Sequence, residues 1–454
     1  MEYINDIYDE LIEDEEESFS EDEDSSKRIL VARCAVSAVA ALVVTDQSFN
    51  SIPPLPGRVG NNHRDRELVL LTVRDWDDDM FRRQFRLFRS DFNGLLIRLN
   101  PYLTKNCVKA RNSSGCPINS ELQLLITLRV LAGASYLDMI WYSVSVNHVM
   151  DIVVRTCELI NTHLNNISFP AWQDEDEYVK LAHGWQHRIY RKFGGAGEGI
   201  LNGVISAGDG IIFQIKEPRK KDLDGKPSVL YMNRKGFFSV NAQAFCDSNC
   251  RFQYFEMKWP GSTSDCTAFR QSDLYIGIIN GMAPDWAIFV CDEAYSCYGG
   301  RYLTPFSKYQ LMRTKIVNPD LYNQMRAYNH VLSSLRIHIE RAFGQLVRRW
   351  GILWRALEMR LTAAITIIEC CARLHNLCVD SWLRDHAGSI DGFTTSIPEH
   401  TGIPHMSAQP DDTTVMSRLN NDENTEEQLR SMYSEVRNEE MSKIFRAGIV
   451  VLDD

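Results

Sequence analysis

No two of the twelve cysteines in this 454-residue chain form a CxxC pair, and no lysine or arginine occurs among its first 26 residues. The scattered cysteines exclude the paired spacing of zinc ribbons and dithiol redox motifs. They are also too sparse for a disulfide framework, so free thiols in a reducing compartment are expected. His375 and Cys378, with Cys370 and Cys371, come nearest to a zinc pattern, but they share one apolar stretch and read as the buried face of a helix. No structural zinc is expected. The apolar run from Ile29 to Val44 is sixteen residues long and broken by Arg33, too short to span a bilayer. It follows an acidic leader, the wrong flank for secretion, and reads as a helix packed on the body; no membrane partner is expected.

The formal charge of −11 conceals an uneven distribution. Residues 1–26 hold thirteen acids, and residues 381–454 hold fourteen acids against six bases, which leaves residues 27–380 at +10. A basic body between acidic ends is the balance of a protein that meets phosphates. DNA is therefore the expected partner, and a homo-oligomer is compatible with the sequence.

The order of patterns divides the chain. Residues 1–27 form an acidic tail that buries too little apolar surface to order, and 28–75 a helix and linker. Residues 76–170 read as helical. Apolar residues recur at helical spacing from Trp76 to Leu103 with arginines between them, and a loop is expected at 104–118. Helices are expected from Glu121 to Ala132, from a Ser135 cap to Tyr142, and from a Ser145 cap toward Leu164. Such a trio is either helix-turn-helix-like, with Asn147, His148 and Arg155 on its third helix, or a plain bundle. Residues 171–380 read as a mixed α/β core, with strands at 203–215, 236–245, 251–257 and 286–291. Helices follow at 264–271, 319–350 and 361–378. The tail at 381–454 reads as acidic and mostly disordered, with one helix from Thr425 to Phe445.

Cutting a phosphodiester asks for two Mg²⁺ or Mn²⁺ ions held by oxygen ligands. Asp209 stands in an otherwise apolar strand, Asp265 opens a helix, Asp292 ends a strand, and Glu340 shares a helix with Arg336, Arg341, Arg348 and Arg349. Each acid also has a plainer reading. Asp209 could be a turn residue between two glycines, Asp265 and Asp292 caps, and Glu340 an i,i+4 partner for Arg336.

Four blocks carry a more specific signal: Asp209-Gly210 leading to Pro218; Tyr231 to Gln243, continuing to Trp259-Pro260-Gly261-Ser262 and Asp265; Asp292-Glu293-Ala294-Tyr295 with Leu303 to Phe306; and Glu340 to Gly344 through Trp350 to Leu374-His375-Asn376. In order and spacing these resemble the DDE nuclease domain of the PIF/Harbinger transposases and the nucleases derived from them. The resemblance implies an RNase H-like fold, a catalytic triad of Asp209, Asp265 and Glu340, and Asp292 as a further metal ligand. It also implies a nuclear protein that cuts and joins DNA at transposon ends beside a Myb-like DNA-binding partner; the alternative is a domesticated DNA- or partner-binding factor. Ile211, Ser264 and Cys291 depart from the family pattern, and none of the three removes a carboxylate. Arg234, Lys235, Arg336, Arg341, Arg348 and Arg349 are the expected DNA contacts. The cluster Lys216, Arg219, Lys220 and Lys221 is either a nuclear address or a further backbone contact.

Overall fold

The computed structural model describes residues 66–103, 118–135, 138–223, 225–295, 301–385 and 435–449. The acidic leader, the Ile29–Val44 run, the loop at 104–117 and residues 386–434 lie outside them.

The helical region opens with α1 (Arg66–Asp75), α2 (Asp78–Phe85) and α3 (Arg89–Leu103). The periodic stretch from Trp76 to Leu103 is thus two helices where one was expected. The Asp77 carboxylate accepts from Met80 N at 2.6 Å to start α2, and Arg86 ends it in a left-handed conformation at φ 63°. The apolar stripe survives the break, because Phe81, Phe85, Phe92, Leu95 and Leu99 all face one core. Next come α4 (Ser120–Leu131), a 3-10 segment (Asp138–Tyr142) and α5 (Val146–His163). The Ser135 backbone N–H donates to the Asp138 carboxylate at 2.9 Å at the start of that segment. On α5, Asn147 and His148 are exposed, while Arg155 donates to Tyr102 O at 3.1 Å.

Residues 175–193, where sequence periodicity shows no strand, form α6 (Glu175–Phe193), started by Asp174 and burying Tyr178, Ala182, Trp185 and Ile189. The sheet follows: β1 (Val204–Gln214), β2 (Ser239–Cys246), β3 (Phe252–Pro260), β4 (Ile288–Cys291) and the short β5 (Tyr302–Leu303). Its order is β3-β2-β1-β4-β5. The first three strands are antiparallel neighbours, and β4 and β5 run parallel to β1. Between β3 and β4 lie α7 (Asp265–Arg270) and α8 (Asp273–Ile279). After β5 come α9 (Lys308–Val317), α10 (Pro319–Arg349) and α11 (Leu361–Asp385).

Strand pairing sorts side chains onto two faces, since alternate residues point oppositely. Ala207, Phe213, Val240, Ala242, Ala244 and Val290 share a core with α10, α11 and the helices before the sheet. Ile205, Phe245, Phe289 and Cys291 pack on the other face with Tyr178, Phe269, Tyr295 and Tyr302. Helix α10 earns its length from a clean start and a continuous stripe. Asn318 accepts from Leu321 N, Pro319 occupies the first turn, and Leu332, Leu335, Ile339, Ala342 and Leu346 are buried. By length and composition α11 could cross a membrane, but most of it is buried inside this fold. His375 and Cys378 belong to that buried face: His375 Nε2 meets Cys250 O at 2.8 Å, and Cys378 Sγ donates to Arg86 O.

The acidic tail is not wholly unstructured. Residues 435–446 are helical, within the helix expected from Thr425 to Phe445, whose first ten residues lie outside the described ones; Met441, Ile444 and Ile449 join the main core. The Glu440 carboxylate accepts from Leu201 N at 2.8 Å, just before β1.

Candidate metal and nuclease site

Asp209 lies within β1, paired with Ala244 across the antiparallel ladder, so it is a strand residue and not a turn. Its neighbour on the other side is β4, where Gly208 pairs with Cys291 in parallel register. Asp292, one residue further, is thereby brought alongside Asp209 on the face that carries α10. The opposite face receives Asp265. Gly210 pairs with Gln243, and a Cβ built on Gly210 would lie only 2.7 Å from the Asp265 carboxyl carbon. Asp265 is not the cap of its own helix; Ser264 is, accepting from Thr267 N. Its carboxylate is therefore free for other partners, and Asp265 Oδ1 accepts from Asn241 Nδ2 at 2.9 Å and from Gln243 Nε2 at 3.3 Å.

Glu340 projects from α10. For this acid the plain helical pairing is present: Arg336 Nη1 stands 2.5 Å from Glu340 Oε1. The same nitrogen is 3.1 Å from Asp209 Oδ2. One guanidinium thus joins acids from a strand and a helix.

Burial pushes the Asp209 carboxyl up to about 7; the Arg336 charge and the Gly210 N–H pull it down, and Asp292 and then Asp265 add to the rise. Asp292 weighs on Asp209 more than Asp265 does, as the parallel register requires. Three acids share a small volume with one arginine to offset them. Behind them, Tyr295 OH donates to Gln243 Oε1 at 2.5 Å, and Gln243 Nε2 donates to Asn241 Oδ1 at 3.0 Å. Burial first, and then the nearby acids, hold the Tyr295 hydroxyl protonated well above its usual range. Asn241, Gln243 and Tyr295 were not singled out in the sequence as site residues. Their signal is Ser239, Asn241 and Gln243 at alternate positions of a strand that is buried throughout.

The carboxylates fit a hard divalent ion in kind, because all the donors are oxygen and their charge is under-compensated. Among the described residues no three His, Cys, Asp or Glu side chains stand close enough to hold a metal ion as placed. The reason is local: Glu340 is turned to Arg336, and Asp265 lies on the reverse face of the sheet. A cavity of about 360 Å³ between α9, α10 and the 435–446 helix is lined by Phe306, Tyr309, Met325 and Met441, and none of the four acids borders it.

The basic residues disperse. Arg234 and Lys235 are exposed on a loop before β2, where Lys235 N donates to Asn233 Oδ1 and Gly236 has φ 82°. Because β2 begins opposite the end of β1, that loop lies at the carboxyl end of β1, as do the exposed Lys216, Arg219, Lys220 and Lys221. At 100° per residue, Arg341 and Arg348 point roughly 120–140° around α10 from Arg336. Arg341 lies toward Arg188 and Cys250 at the β2–β3 hairpin. Arg349 turns inward, with Nη1 3.4 Å from His375 Nδ1. Arg336 is the α10 arginine that meets both Asp209 and Glu340.

A family model described as DDE superfamily endonuclease matches residues 208–376, which run from the residue before Asp209 to Asn376 within α11. This chain carries a DDE superfamily endonuclease domain. It is homologous to the curated protein named "Putative nuclease HARBI1", with 29% identity over 203 residues to the Mus musculus, Rattus norvegicus and Homo sapiens sequences. The alignment covers 44% of this chain and 52% of each relative, so the chain spans about half the length of the curated relatives it matches. No solved structure matches it. The endonuclease domain thus contains all four acids and the arginine that bridges two of them.

Proposed function

We propose that this chain is a divalent-metal-dependent DNA endonuclease of Harbinger type, acting in the nucleus on transposon ends. The observation that carries the reading is the placement of Asp209 on β1 and of Asp292 just past the end of the adjacent parallel strand β4, with Glu340 approaching from α10. The five-stranded sheet, antiparallel in β1–β3 and parallel in β1, β4 and β5, supports an RNase H-like core. Asp209, Asp292 and Glu340 would hold the ions. The family resemblance gave that part to Asp265 and an accessory part to Asp292; the sheet favours exchanging them, with Asp265 as a flanking acid held by Asn241 and Gln243.

Such ions supply activation of a water for attack on the scissile phosphate and stabilisation of the departing 3′ oxygen. The chain's own residues do the rest. Asp209, fixed by backbone pairing in the central strand, and Asp292, just past the end of β4, keep their oxygens side by side, while the buried β2 network fixes Asp265 against Gly210. Lys216, Arg234 and Lys235 at the carboxyl end of β1 offer positive charge to a DNA backbone. The freed 3′ end would then serve strand transfer at the same acids. Few base-reading side chains are exposed on α5, which supports a separate Myb-like partner for sequence choice.

A second reading, a domesticated DNA- or partner-binding factor, is favoured by one observation: Arg336 already pairs with both Asp209 and Glu340. The two separate in a nicking assay on duplex DNA with Mn²⁺. The nuclease reading expects cutting that stops on chelation and in Asp209→Ala. DNA binding without any Mn²⁺-dependent cutting leaves the second reading.

A further inference from the structure

We infer that Arg336 is a displaceable counter-cation that closes the carboxylate site to divalent ions until a DNA phosphate draws it away. The inference rests on the proposed nuclease reading and adds a gate to it. Arg336 Nη1 meets Asp209 Oδ2 at 3.1 Å and Glu340 Oε1 at 2.5 Å. These are the oxygens a hard cation would take, and they come from the strand and the helix that such a cation would have to join. A guanidinium keeps its charge at any physiological pH, so no proton loss relieves the competition.

The surroundings favour a movable plug over a fixed strut. The Arg336 side chain is 25% exposed and Glu340 47%, so water reaches the pair on one side. The Glu340 half of the contact is screened by water and costs little to break, whereas the Asp209 half is released only in exchange for another cation. Asp209 is the deeper partner, at 18%. Without Arg336 its charge would add to those of Asp292 and, through the sheet, Asp265, with the Gly210 N–H to offset it. The ionised site therefore calls for a cation, and the arginine supplies one from the adjacent turn of α10. A phosphate diester on the open side offers the guanidinium a second anion in bidentate geometry. Transfer of Arg336 from carboxylate to phosphate then frees Asp209 and Glu340 together. Metal entry and DNA binding become linked through one side chain, and the linkage is reciprocal.

The test is Mn²⁺ binding to the full chain without DNA, read from the electron paramagnetic resonance of free Mn²⁺, for wild type, R336Q, R336K and D209N, with circular dichroism to check folding. Arg336→Gln removes the charge and should lower the Mn²⁺ Kd by about 5- to 150-fold, the usual span of a coupling between two sites. Arg336→Lys keeps the charge and should stay near wild type. A short duplex should tighten Mn²⁺ binding in wild type and much less in R336Q. An R336Q chain that is folded yet binds Mn²⁺ no tighter than wild type would overturn the gate and make Arg336 an orienting residue. If D209N binds Mn²⁺ as wild type does, the ion is elsewhere and the nuclease reading itself fails, whatever R336Q shows.

Discussion

The Asp265 carboxylate fills the space in which a side chain at Gly210 would begin, with Asp265 Cγ 2.7 Å from where a Cβ would stand. The Asp-Gly pair of β1 is thus two requirements in sequence: an acid facing α10, and no side chain facing α7. Gly210→Ala should cost about 1–3 kcal/mol, the usual range for overpacking a tight site, because Asp265 is tied to Asn241 and Gln243 and cannot retreat freely. Urea unfolding of the variant checks this; an unchanged midpoint would mean that the Asp265 loop yields.

Asp292 and Asp265 should separate on substitution. Asp292→Asn removes charge beside Asp209 and should abolish both Mn²⁺ binding and cutting. Asp265→Asn keeps an oxygen for the Asn241 and Gln243 amides, and should leave stability near wild type and retain part of the Mn²⁺ affinity. Isothermal titration of the two variants decides the order; equal loss in both would return Asp265 to the metal-holding set.

Asp209 predicts a pH dependence with a definite sign. Its carboxyl sits at about 7 when folded, against about 3.9 in an unfolded chain. The folded state holds the extra proton between those values, so this group's contribution to stability is present at low pH and is lost as pH rises from about 4 through about 7. In EDTA, wild type should lose stability relative to Asp209→Asn across that window, by up to about 1.4 kcal/mol per pH unit. Mn²⁺ selects the ionised form, so its affinity should rise with pH and flatten above about 7. Thermal melts of the two proteins from pH 5 to 8 show the difference directly; parallel curves would place the carboxyl near its ordinary value.

The terminal helix should matter to the whole domain. Ile444 is fully buried in the main core, and Glu440 accepts from Leu201 N before β1. Ile444→Ala should cost about 2–5 kcal/mol. Glu440→Ala leaves a buried N–H unpaired, at about 1–3 kcal/mol. Denaturant midpoints check both, and near-zero effects would make the helix an appendage.

Much of the core was legible because periodicity records burial. The strands around Asp209, Phe245 and Val290, and the stripe Leu335, Ile339, Leu346 of α10, follow the patterns their environments impose. What stayed hidden follows from physics the pattern does not carry. Helix α9 buries no residue and so has no stripe, and β5 spans only Tyr302–Leu303. The break at Arg86 needs no glycine or proline, only a left-handed residue whose N–H returns to Arg82 O. The likeness to a known family brought the four acids together; which of them neighbours Asp209 depends on β4 pairing with β1 across about eighty residues, a relation no local spacing contains. That Arg336 would reach Asp209 as well as Glu340 depends on the same long-range packing.

Single-turnover cleavage of an end-labelled duplex carrying Harbinger-type terminal inverted repeats, in Mn²⁺ with a Myb-like DNA-binding protein added, tests the central claim most directly. The account predicts cutting by wild type that leaves a 3′ hydroxyl and vanishes in Asp209→Ala, Asp292→Ala and Glu340→Ala. Cutting that persists in those variants, or a wild type that binds Mn²⁺ and DNA and never cuts, would contradict it.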